Sequence, residues 1–458
     1  METKRIKDLY LESKKLDKQI VKITGWVRNN RAQKAFGFID LNDGTCFETL
    51  QVVYESEKLE NFKDTQKVRV GSSVEVVGEL VLTPNSKQPF EIKASEVVLV
   101  GDSLEDYPIQ PKRHTREFLR ENAHLRVRTN LFNAVFRVRS VVSHAIHKFF
   151  QEQDFIYLHA PLITTSDAEG AGEMFQVTTL DFENDKEIDY SKDFFTKKAN
   201  LSVSGQLQAE AYALAYKNVY NFGPTFRAEN SNTKLHASEF WMIEPEIAFA
   251  DLNDDMKLAE DMLKYIIQDV FARCPSELTF FDKFVEKGLK QKLEKVLNSS
   301  FKVATHKEAI EILEKTNIKF ENKPKQGEDL ATEHEKYLTK HFDGPVFIID
   351  WPKNIKAFYM RLNDDQETVA AMDLLVPKAG ELIGGSQREE RLDVLEERMK
   401  AFNIDDKDLW WYKDLRKYGG CKHAGFGMGL ERMVMYVTGI DNIRDVLSFP
   451  RTPRNCEF

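Results

Sequence analysis

The chain has 458 residues, of which 42% are hydrophobic and 30% are charged, and its formal net charge is -9. This length exceeds what one ordinary hydrophobic core holds, so two or three domains are expected. The acidic balance excludes a protein coated in basic surface. No apolar run reaches the roughly 20 residues that a bilayer requires. The first residues, METKRIKDLYLESKK, lack the apolar core of a secretory signal, so we expect a cytoplasmic protein without a membrane partner.

The four cysteines are scattered, with no CxxC pair: Cys46, Cys274, Cys421 and Cys456. This spacing argues against structural zinc and against a disulfide framework. Cys421 and His423 are two apart, which alone is a weak metal signal, and we interpret them as loop residues.

Residues 20 to 100 contain five short segments in which polar and apolar residues alternate, separated by turn signals such as Asn42-Asp43-Gly44. This pattern predicts β-strands. Five strands in this length indicate a small closed barrel of the OB-fold type, which often binds single-stranded nucleic acid. We therefore predict an OB-fold domain over residues 1–105.

The passage GDSLEDYPIQP, residues 101–111, is rich in Gly, Pro and acids and is typical of a linker. We place a linker or hinge at 106–130. It overlaps a basic stretch from Pro111 to Arg139, which contains eight Lys or Arg residues and only two acids, Glu117 and Glu121. Such local charge suits either contact with phosphates or a solvated helix face with ion pairs, and both stay open.

The remaining residues, 131–458, are predicted to form a second domain. Apolar residues at helical spacing from Leu131 to Gln153 indicate an amphipathic helix, and a strand interrupted by Pro161 follows, which favours a sheet edge. A mainly helical, lysine-rich insertion at about 255–345 separates two groups of strands. The whole chain is thus predicted to be α+β, with a mainly antiparallel sheet flanked by helices in the second domain.

Polar residues of chemical interest concentrate in three stretches of this domain. TFRAENSNTKLHASEF, residues 225–240, is a charged loop between two predicted strands. GFGMGLERMVMYVTG, residues 425–439, lets backbone approach a nucleotide, but too few residues follow for a dinucleotide-binding fold. Between residues 370 and 395, Asp373 and Glu381 suit magnesium, and Arg388 offers a fork for a carboxyl or amide group. For any one of these residues taken alone, an ordinary loop or hairpin is the favoured interpretation.

Together these stretches resemble the motifs of the class II aminoacyl-tRNA synthetases. Phe226-Arg227-Ala228-Glu229 is similar to the family's second motif, and Gly427-Met428-Gly429-Leu430-Glu431-Arg432 is similar to its third. The strand around Pro161 resembles the first motif, which builds a homodimer interface in the family. With the barrel, nearly the whole chain resembles the subclass that charges aspartate, asparagine and lysine.

The resemblance implies a reaction and the residues that perform it. An amino acid and ATP form an aminoacyl-adenylate, with Arg227 and Arg432 as catalytic residues, and the acyl group then passes to tRNA. Mg²⁺ would be held by Glu381, with Asp373 assisting. Adenine would lie between Phe240 and Arg432. The implied ATP-binding residues are Arg227, Glu229, His236, Phe240, Glu381, Gly429 and Arg432.

Aspartate-specific members of the subclass carry a lysine in a Ser-Pro-Gln-Leu-x-Lys motif, where it pairs with the substrate side-chain carboxylate. The matching residues 204–210 read SGQLQAE, so that cation is absent and an acid follows. GELIGGSQREERLDVL and the tail FPRTPRN are likewise similar to asparagine-specific members rather than aspartate-specific ones, which usually have a serine near the metal at the position of Gly384. Without that hydroxyl, no side-chain metal contact is implied at Gly384. L-Asparagine is therefore the implied substrate, with Arg388 donating to its side-chain oxygen and Glu210 accepting from its NH2. The implied amino-acid-binding residues are Glu169, Ser204, Gln206, Glu210, Arg227 and Arg388.

In the barrel, the resemblance implies an anticodon-binding surface. Phe36 would stack on an anticodon base, while Gln51 and Glu91 would read the edge of the central uridine. Many such aromatics are simply core residues, so the residue types alone do not decide. The implied partners are tRNA(Asn), ATP and L-asparagine, bound by a homodimer.

Three alternatives stay open. An aspartate-specific synthetase would be separated by ATP–pyrophosphate exchange with each amino acid. An amide-forming asparagine synthetase built on the same catalytic fold should lack the barrel. A non-catalytic synthetase-like binding or regulatory protein usually loses the ATP-binding arginine or glutamate, whereas Arg227, Glu229, Glu381 and Arg432 are all present.

Overall fold

The computed structural model describes residues 1–166, 173–181, 188–404 and 407–458. Their backbone divides into two compact units, Met1–Arg137 and Val138–Phe458. In the described ranges, no helix joins the length and the apolarity that crossing a bilayer demands.

The first unit is built on a five-stranded barrel. Its elements are α1 (Ile6–Glu12), β1 (Ile20–Ala32), β2 (Phe36–Asn42), β3 (Leu50–Glu55), α2 (Phe62–Thr65), β4 (Ser73–Leu82), β5 (Phe90–Gly101), α3 (Arg116–Glu121) and α4 (Ala123–Arg126). The strands close in the order β1-β2-β3-β5-β4, which confirms the five predicted strands and the barrel.

Alternation along the strands explains why the barrel has a packed interior. In β4, every second residue from Val74 to Leu80 is buried, so Val74, Val76 and Leu80 point inward. Gly78 occupies the remaining inward position, where a Cβ would lie 2.4 Å from the carbonyl oxygen of Lys93. Only glycine allows β4 and β5 to approach so closely, and the register between them shifts at this point.

The elements from residue 130 onward alternate strands and helices. They are α5 (Asn130–Gln151), β6 (Ile156–Leu158), β7 (Ile163–Thr164), β8 (Gln176–Val177), β9 (Ala199–Leu201), α6 (Gln206–Tyr216), β10 (Asn218–Phe226), β11 (Glu239–Ala248), α7 (Leu252–Arg273), α8 (Pro275–Phe284), α9 (Leu289–Asn298), β12 (Lys302–Thr305), α10 (His306–Glu314), α11 (Thr332–His341), β13 (Val346–Pro352), β14 (Thr368–Val376), β15 (Gly380–Gln387), α12 (Leu392–Ala401), α13 (Trp410–Lys417), β16 (His423–Gly429) and α14 (Leu430–Thr438). Two short 3-10 helices lie at Tyr190–Lys192 and Ile443–Asp445.

An eight-stranded sheet organises the second unit, in the order β12-β13-β14-β15-β16-β11-β10-β6, and β7, β9 and β8 form a small separate sheet. The pairs β6/β10 and β12/β13 are parallel and the others are antiparallel, which confirms the mainly antiparallel sheet. β6 is the terminal strand, and the chain leaves it before Pro161. The predicted sheet edge is therefore confirmed, because a proline cannot donate to a strand ladder.

Helix α7 packs along β14, β15 and β16. It begins at a capping box in which Asp251 accepts from the amide of Asp254, and Asp254 accepts from the amide of Asp251. α14 begins directly after β16 and ends at Gly439, whose φ of +71° is a left-handed conformation that glycine adopts without strain. These starts and stops fix the positions of the strand ends that carry the polar residues described next.

Candidate active site

A cavity of about 580 Å³ lies in the second unit, walled in part by β11, β14, β15 and β16. Asp373 on β14 pairs with Gly384 on β15, and Gly384 pairs with Gly427 on β16. Two adjacent glycines leave the sheet surface bare, so a ligand can lie against backbone. Eleven of the predicted site residues line this cavity: Ser204, Gln206, Arg227, Glu229, His236, Phe240, Asp373, Glu381, Arg388, Gly429 and Arg432. Glu169 lies outside the described residues.

One end of the cavity is formed by the β10–β11 hairpin. The amide of Arg227 donates to the carbonyl of Ser238 at 3.0 Å, which extends the hairpin pairing into the loop. The guanidinium carbon of Arg227 lies 5.5 Å from the centroid of the Phe240 ring. Across the loop, Nε2 of His236 lies 3.9 Å from a carboxylate oxygen of Glu229. A cation, an aromatic face and a carboxylate thus share one end, as an adenine nucleotide would require.

Arg432 enters the cavity from the first turn of α14. Its NH1 lies 3.3 Å from the carbonyl oxygen of Glu381 and 3.6 Å from the carboxylate Oε2 of the same residue. The neighbouring Glu431 is 1% exposed and fixes the helix. Glu431 accepts from Arg139 at 2.7 Å and from the amide of Trp241 at 3.0 Å. Arg432 is therefore presented by a helix that is tied to β11 and to α5.

Asp373 and Glu381 direct carboxylate oxygens toward the same point. A Cβ added to Gly384 would lie 3.5 Å from Oδ1 of Asp373 and 3.1 Å from Oε1 of Glu381. Nζ of Lys356 donates to the other oxygen of Asp373, Oδ2, at 2.7 Å. Burial raises the pKa of Asp373 to about 6 against the opposing charge of Lys356, and the Glu381 carboxylate adds to the rise. Two crowded carboxylates above a glycine fit a hard divalent cation such as Mg²⁺.

Glu335 on α11 is a third acid near this point, and it was not predicted. Its Oε2 accepts from the amide of Glu381 at 3.2 Å. Burial raises the pKa of Glu335 to about 7, and repulsion from Glu381 and Asp373 contributes. Glu335 thus fixes the start of β15, where Glu381 stands.

Arg388, just after β15, forms the opposite end of the cavity. It is 2% exposed, and its Nε and NH2 donate to the two carboxylate oxygens of Glu246 at 3.2 and 2.5 Å. Its NH1 donates to the hydroxyl of Ser386 at 2.9 Å. Burial raises the pKa of Glu246 to about 7 even though the charge of Arg388 opposes the rise. The guanidinium is therefore held in one orientation by a buried partner.

Glu244 also lines this part of the cavity, and sequence reasoning missed it. Its two oxygens each lie 3.0 Å from the amide of Gly205, and one accepts from Nδ2 of Asn221 at 2.7 Å. The hydroxyl of Ser204 donates to it as well. The available signal was two acids two residues apart, Glu244 and Glu246, in the largely buried end of β11, which places both on one face of the strand.

Glu210 does not line the cavity and is 0% exposed. Its oxygens accept from the Tyr412 hydroxyl at 2.7 and 2.8 Å, from Arg416 at 2.8 Å and from Gln206 at 3.1 Å, and His423 Nε2 lies 2.9 Å away. Burial raises the pKa of Glu210, but Arg416 and His423 together hold it below its usual range. The expectation that Glu210 contacts a substrate amide is therefore corrected: an enclosed carboxylate with four protein partners positions Gln206 instead.

The predicted anticodon residues lie on β2, β3 and β5, which are neighbours in the barrel of the first unit. Phe36 is 37% exposed, and its ring meets the Phe38 ring edge-on with centroids 5.5 Å apart. Nε2 of Gln51 donates to Glu91 at 3.1 Å. NH2 of Arg31 lies 3.5 Å from Oε1 of Gln51. An aromatic ring and a hydrogen-bonded pair are thus available on one side of the barrel.

Comparisons with known proteins match both units. The family described as tRNA synthetases class II (D, K and N) matches residues 115–453, and the OB-fold nucleic acid binding domain matches residues 21–100. The asparagine–tRNA ligase of Acholeplasma laidlawii is 64% identical over 99% of both chains, and that of Alkaliphilus metalliredigens is 59% identical over 100% of both. The crystal structure of asparaginyl-tRNA synthetase from Pyrococcus horikoshii complexed with asparaginyl-adenylate has a TM-score of 0.88 and 31% identity, covering 100% of each chain.

Proposed function

Because the chain belongs to the class II tRNA synthetases, and within them to the asparagine–tRNA ligases, we propose that the cavity of the second unit is where ATP and L-asparagine react. The enzyme ligates L-asparagine to tRNA through an asparaginyl-adenylate. A carboxylate oxygen of asparagine attacks the α-phosphorus of ATP, and pyrophosphate leaves with the electrons of the broken bond. A terminal ribose hydroxyl of tRNA then attacks the acyl carbon, and AMP leaves. The observation that carries the proposal is the convergence of eleven predicted residues on one cavity.

The first step has a nucleophile that is already ionised, so catalysis reduces to alignment and charge neutralisation. Arg227 binds the α-phosphate and the carboxylate of asparagine. Phe240 and Arg432 cover the two faces of adenine, with Arg432 also beside the phosphates. Glu229 accepts from the adenine amino group, and His236 reaches toward the γ-phosphate. The closeness of Arg227 to Phe240 supports this order along the nucleotide.

Glu381 and Asp373 would hold Mg²⁺, because their oxygens converge above Gly384. When bound, the ion neutralises charge on the phosphate oxygens. Lys356 holds one oxygen of Asp373 and leaves the other directed toward Glu381.

Recognition of the asparagine side chain is assigned to a donor and an acceptor at the Arg388 end. Arg388 donates to the side-chain oxygen, and Glu244 replaces Glu210 as the acceptor from the NH2 group, because Glu244 lines the cavity. Aspartate would place a carboxylate against Glu244, and a mismatch of this kind can reduce turnover by roughly 10⁴. The residues proposed for the α-amino group are Glu169 and Gln206, and Ser204 is proposed as a further amino-acid-binding residue.

The tRNA(Asn) anticodon is assigned to the first unit, with Phe36 stacking on one base and Gln51 and Glu91 reading another. In domain terms, residues 1–105 bind the anticodon, 106–130 form the hinge, and 131–458 catalyse, with the insertion at about 255–345. The match of the barrel to a nucleic-acid-binding family supports this division.

We also propose that the enzyme is a homodimer and that it acts in the cytoplasm, where tRNA is used. β6 is the end strand of the large sheet, and Ile156 and Tyr157 on it are 46% and 47% exposed. An exposed apolar edge of this kind suits a second copy of the chain. A monomeric mass by light scattering at micromolar concentration would refute the dimer.

ATP–pyrophosphate exchange tests the function without tRNA. Asparagine should support exchange and aspartate should not. Arg227→Ala should lower the exchange rate by about 10³ or more, because a phosphate-neutralising arginine is lost. Lys234→Ala is the matched control, since Lys234 stands on the same hairpin in an exposed ion pair with Asp441 and does not line the cavity. Retained exchange in Arg227→Ala, with an unchanged circular dichroism spectrum, would overturn the role of Arg227.

A further inference from the structure

A second concave surface of the second unit lies between α9, α11 and the turn that joins β14 to β15, and it encloses about 700 Å³. Lys292 and Lys295 are three apart on α9, and Lys336 and Lys340 are four apart on α11, so each pair occupies one helix face. This surface is called the lysine groove after the six lysines that line it: Lys287, Lys292, Lys295, Lys336, Lys340 and Lys378.

Only part of this positive charge is compensated. Glu286 is shared by two lysines, at 3.1 Å from Nζ of Lys292 and 2.5 Å from Nζ of Lys378. Asp343 pairs with Lys295 and is the one acid among the described lining residues. Two carboxylates therefore face six ammonium groups.

The other three lysines give the groove its free charge. Lys287, Lys336 and Lys340 are exposed, and none forms an ion pair with another described residue. Gly288 and Gly344 also line the groove, and a Cβ on either would meet nothing within 4 Å. The groove is thus open to a ligand that approaches the backbone.

We propose that the lysine groove of the second unit binds the phosphate backbone of the tRNA substrate. The chain carries a net charge of -9, so a polyanion is attracted only where positive charge is concentrated. No described lining residue is aromatic, which favours contact with phosphates over stacking on bases. This inference rests on the proposed function, since it adds a second contact for the same tRNA.

The test compares two triple variants that lose the same charge. The groove variant is Lys287→Ala, Lys336→Ala and Lys340→Ala. The control variant is Lys307→Ala, Lys319→Ala and Lys323→Ala, three exposed lysines of the same insertion that do not line the groove. Asparagine-dependent ATP–pyrophosphate exchange without tRNA should equal wild type in both, which shows that folding and amino-acid activation are intact.

Aminoacylation then reports on the groove. The groove variant should raise the KM for tRNA(Asn) about tenfold at 0.15 M salt, and its log–log salt slope for tRNA binding should fall by about 2 to 3, roughly one for each lost phosphate contact. The control variant should change neither quantity.

The outcomes separate the two proposals. If asparagine does not support ATP–pyrophosphate exchange in the wild-type enzyme, the proposed function itself is refuted. Normal exchange, with a tRNA KM and salt slope that match the control variant, overturns the groove proposal alone. Binding of tripolyphosphate to the groove variant is also measured. If the groove variant loses tripolyphosphate binding while its affinity for tRNA(Asn) is unchanged, the groove proposal is overturned, because the groove would then hold a small free anion.

Discussion

Arg388 and Glu246 form a buried two-point ion pair beneath the cavity, with donor–acceptor distances of 2.5 and 3.2 Å. Their side chains are 3% and 0% exposed. Because all three guanidinium nitrogens already have protein acceptors, the orientation of Arg388 toward the cavity is set before any substrate arrives.

Glu246→Gln should therefore impair asparagine binding more than ATP binding. Removing one partner of a buried ion pair costs about 3 kcal/mol or more of stability. We expect about 2 kcal/mol of this to appear as weaker asparagine binding, so the KM for asparagine in exchange should rise about thirtyfold. Ser386→Ala is the control, because it removes a single hydrogen bond worth about 1 kcal/mol. Equal effects of the two variants would contradict the positioning role of Glu246.

Lys356→Met should make the enzyme depend on magnesium for stability. The variant leaves Asp373 buried beside Glu381 without its ammonium partner, and a bound divalent cation would restore the balance. Added Mg²⁺ should raise the Tm of the variant by more than it raises the Tm of wild type. Lys353→Met, which loses a weak 4.0 Å ion pair with Glu367 and a hydrogen bond to the carbonyl oxygen of Gln366, serves as the control. The same magnesium-induced Tm shift in all three proteins would count against the metal site.

Glu335→Gln should gain stability over wild type as the pH rises. The pKa of Glu335 is raised by burial from 4.5 to about 7, so the folded protein holds this proton more tightly than the unfolded chain does. The resulting stability is fully present below pH 4.5 and is lost as the pH rises through 7. Glutamine mimics the protonated form, so the variant should gain up to about 3 kcal/mol over wild type between pH 4.5 and pH 8.

Thermal unfolding of Glu335→Gln and wild type in EDTA, at several pH values, measures this difference. Glu333→Gln on the same helix is the control, because hydrogen bonds from the amides of Asn322 and Glu321 lower the pKa of Glu333. If the Tm difference between Glu335→Gln and wild type does not change with pH, this would contradict a raised pKa of the buried Glu335 carboxyl group.

Gly385→Ala and Gly384→Ala should differ sharply although the two residues are adjacent. A Cβ on Gly385 would lie 2.6 Å from Cβ of Phe426 and 2.8 Å from the carbonyl oxygen of Gly425, so the sheet must move. We expect a loss of about 1–3 kcal/mol from overpacking. A Cβ on Gly384 meets only carboxylate ends, at 3.1 Å or more, and should leave the Tm nearly unchanged. A larger Tm loss in Gly384→Ala would reverse the packing argument.

Phe36→Leu should weaken tRNA use and leave amino-acid activation intact. Stacking of one base on an aromatic ring is worth about 1–3 kcal/mol, so the KM for tRNA(Asn) should rise roughly tenfold or more. Pyrophosphate exchange without tRNA is the internal control. An unchanged tRNA KM would show that Phe36 is an ordinary surface aromatic.

Local patterns predicted the strands, and the resemblance to the family's motifs implied most of the cavity residues. Alternation along β4 and the turn before β3 are properties of neighbouring residues, so they can be read directly from the chain. The motif around Arg227 and the one around Arg432 each lie on a single hairpin or strand–helix junction, which is why their residues were found.

The residues that were missed depend on partners far away in the chain. Glu335 acts on Glu381, 46 positions later. The burial of Glu210 follows from Tyr412 and Arg416, about 200 positions away. Such distant partners decide whether an acidic side chain contacts a ligand or is enclosed by protein, and a local sequence pattern does not identify them.

The enclosed charges around Glu210 limit how substrate preference can change. Ala209 stands where aspartate-specific relatives carry their discriminating lysine, and it is 0% exposed. Two acids, Glu210 and Glu246, already balance Arg388 and Arg416 in this interior. A lysine introduced there alone would add an unmatched cation to a sealed compartment. We therefore expect a lysine at position 209 alone to destabilise the enzyme without substrate, so that a change of preference toward the acidic amino acid needs a compensating substitution.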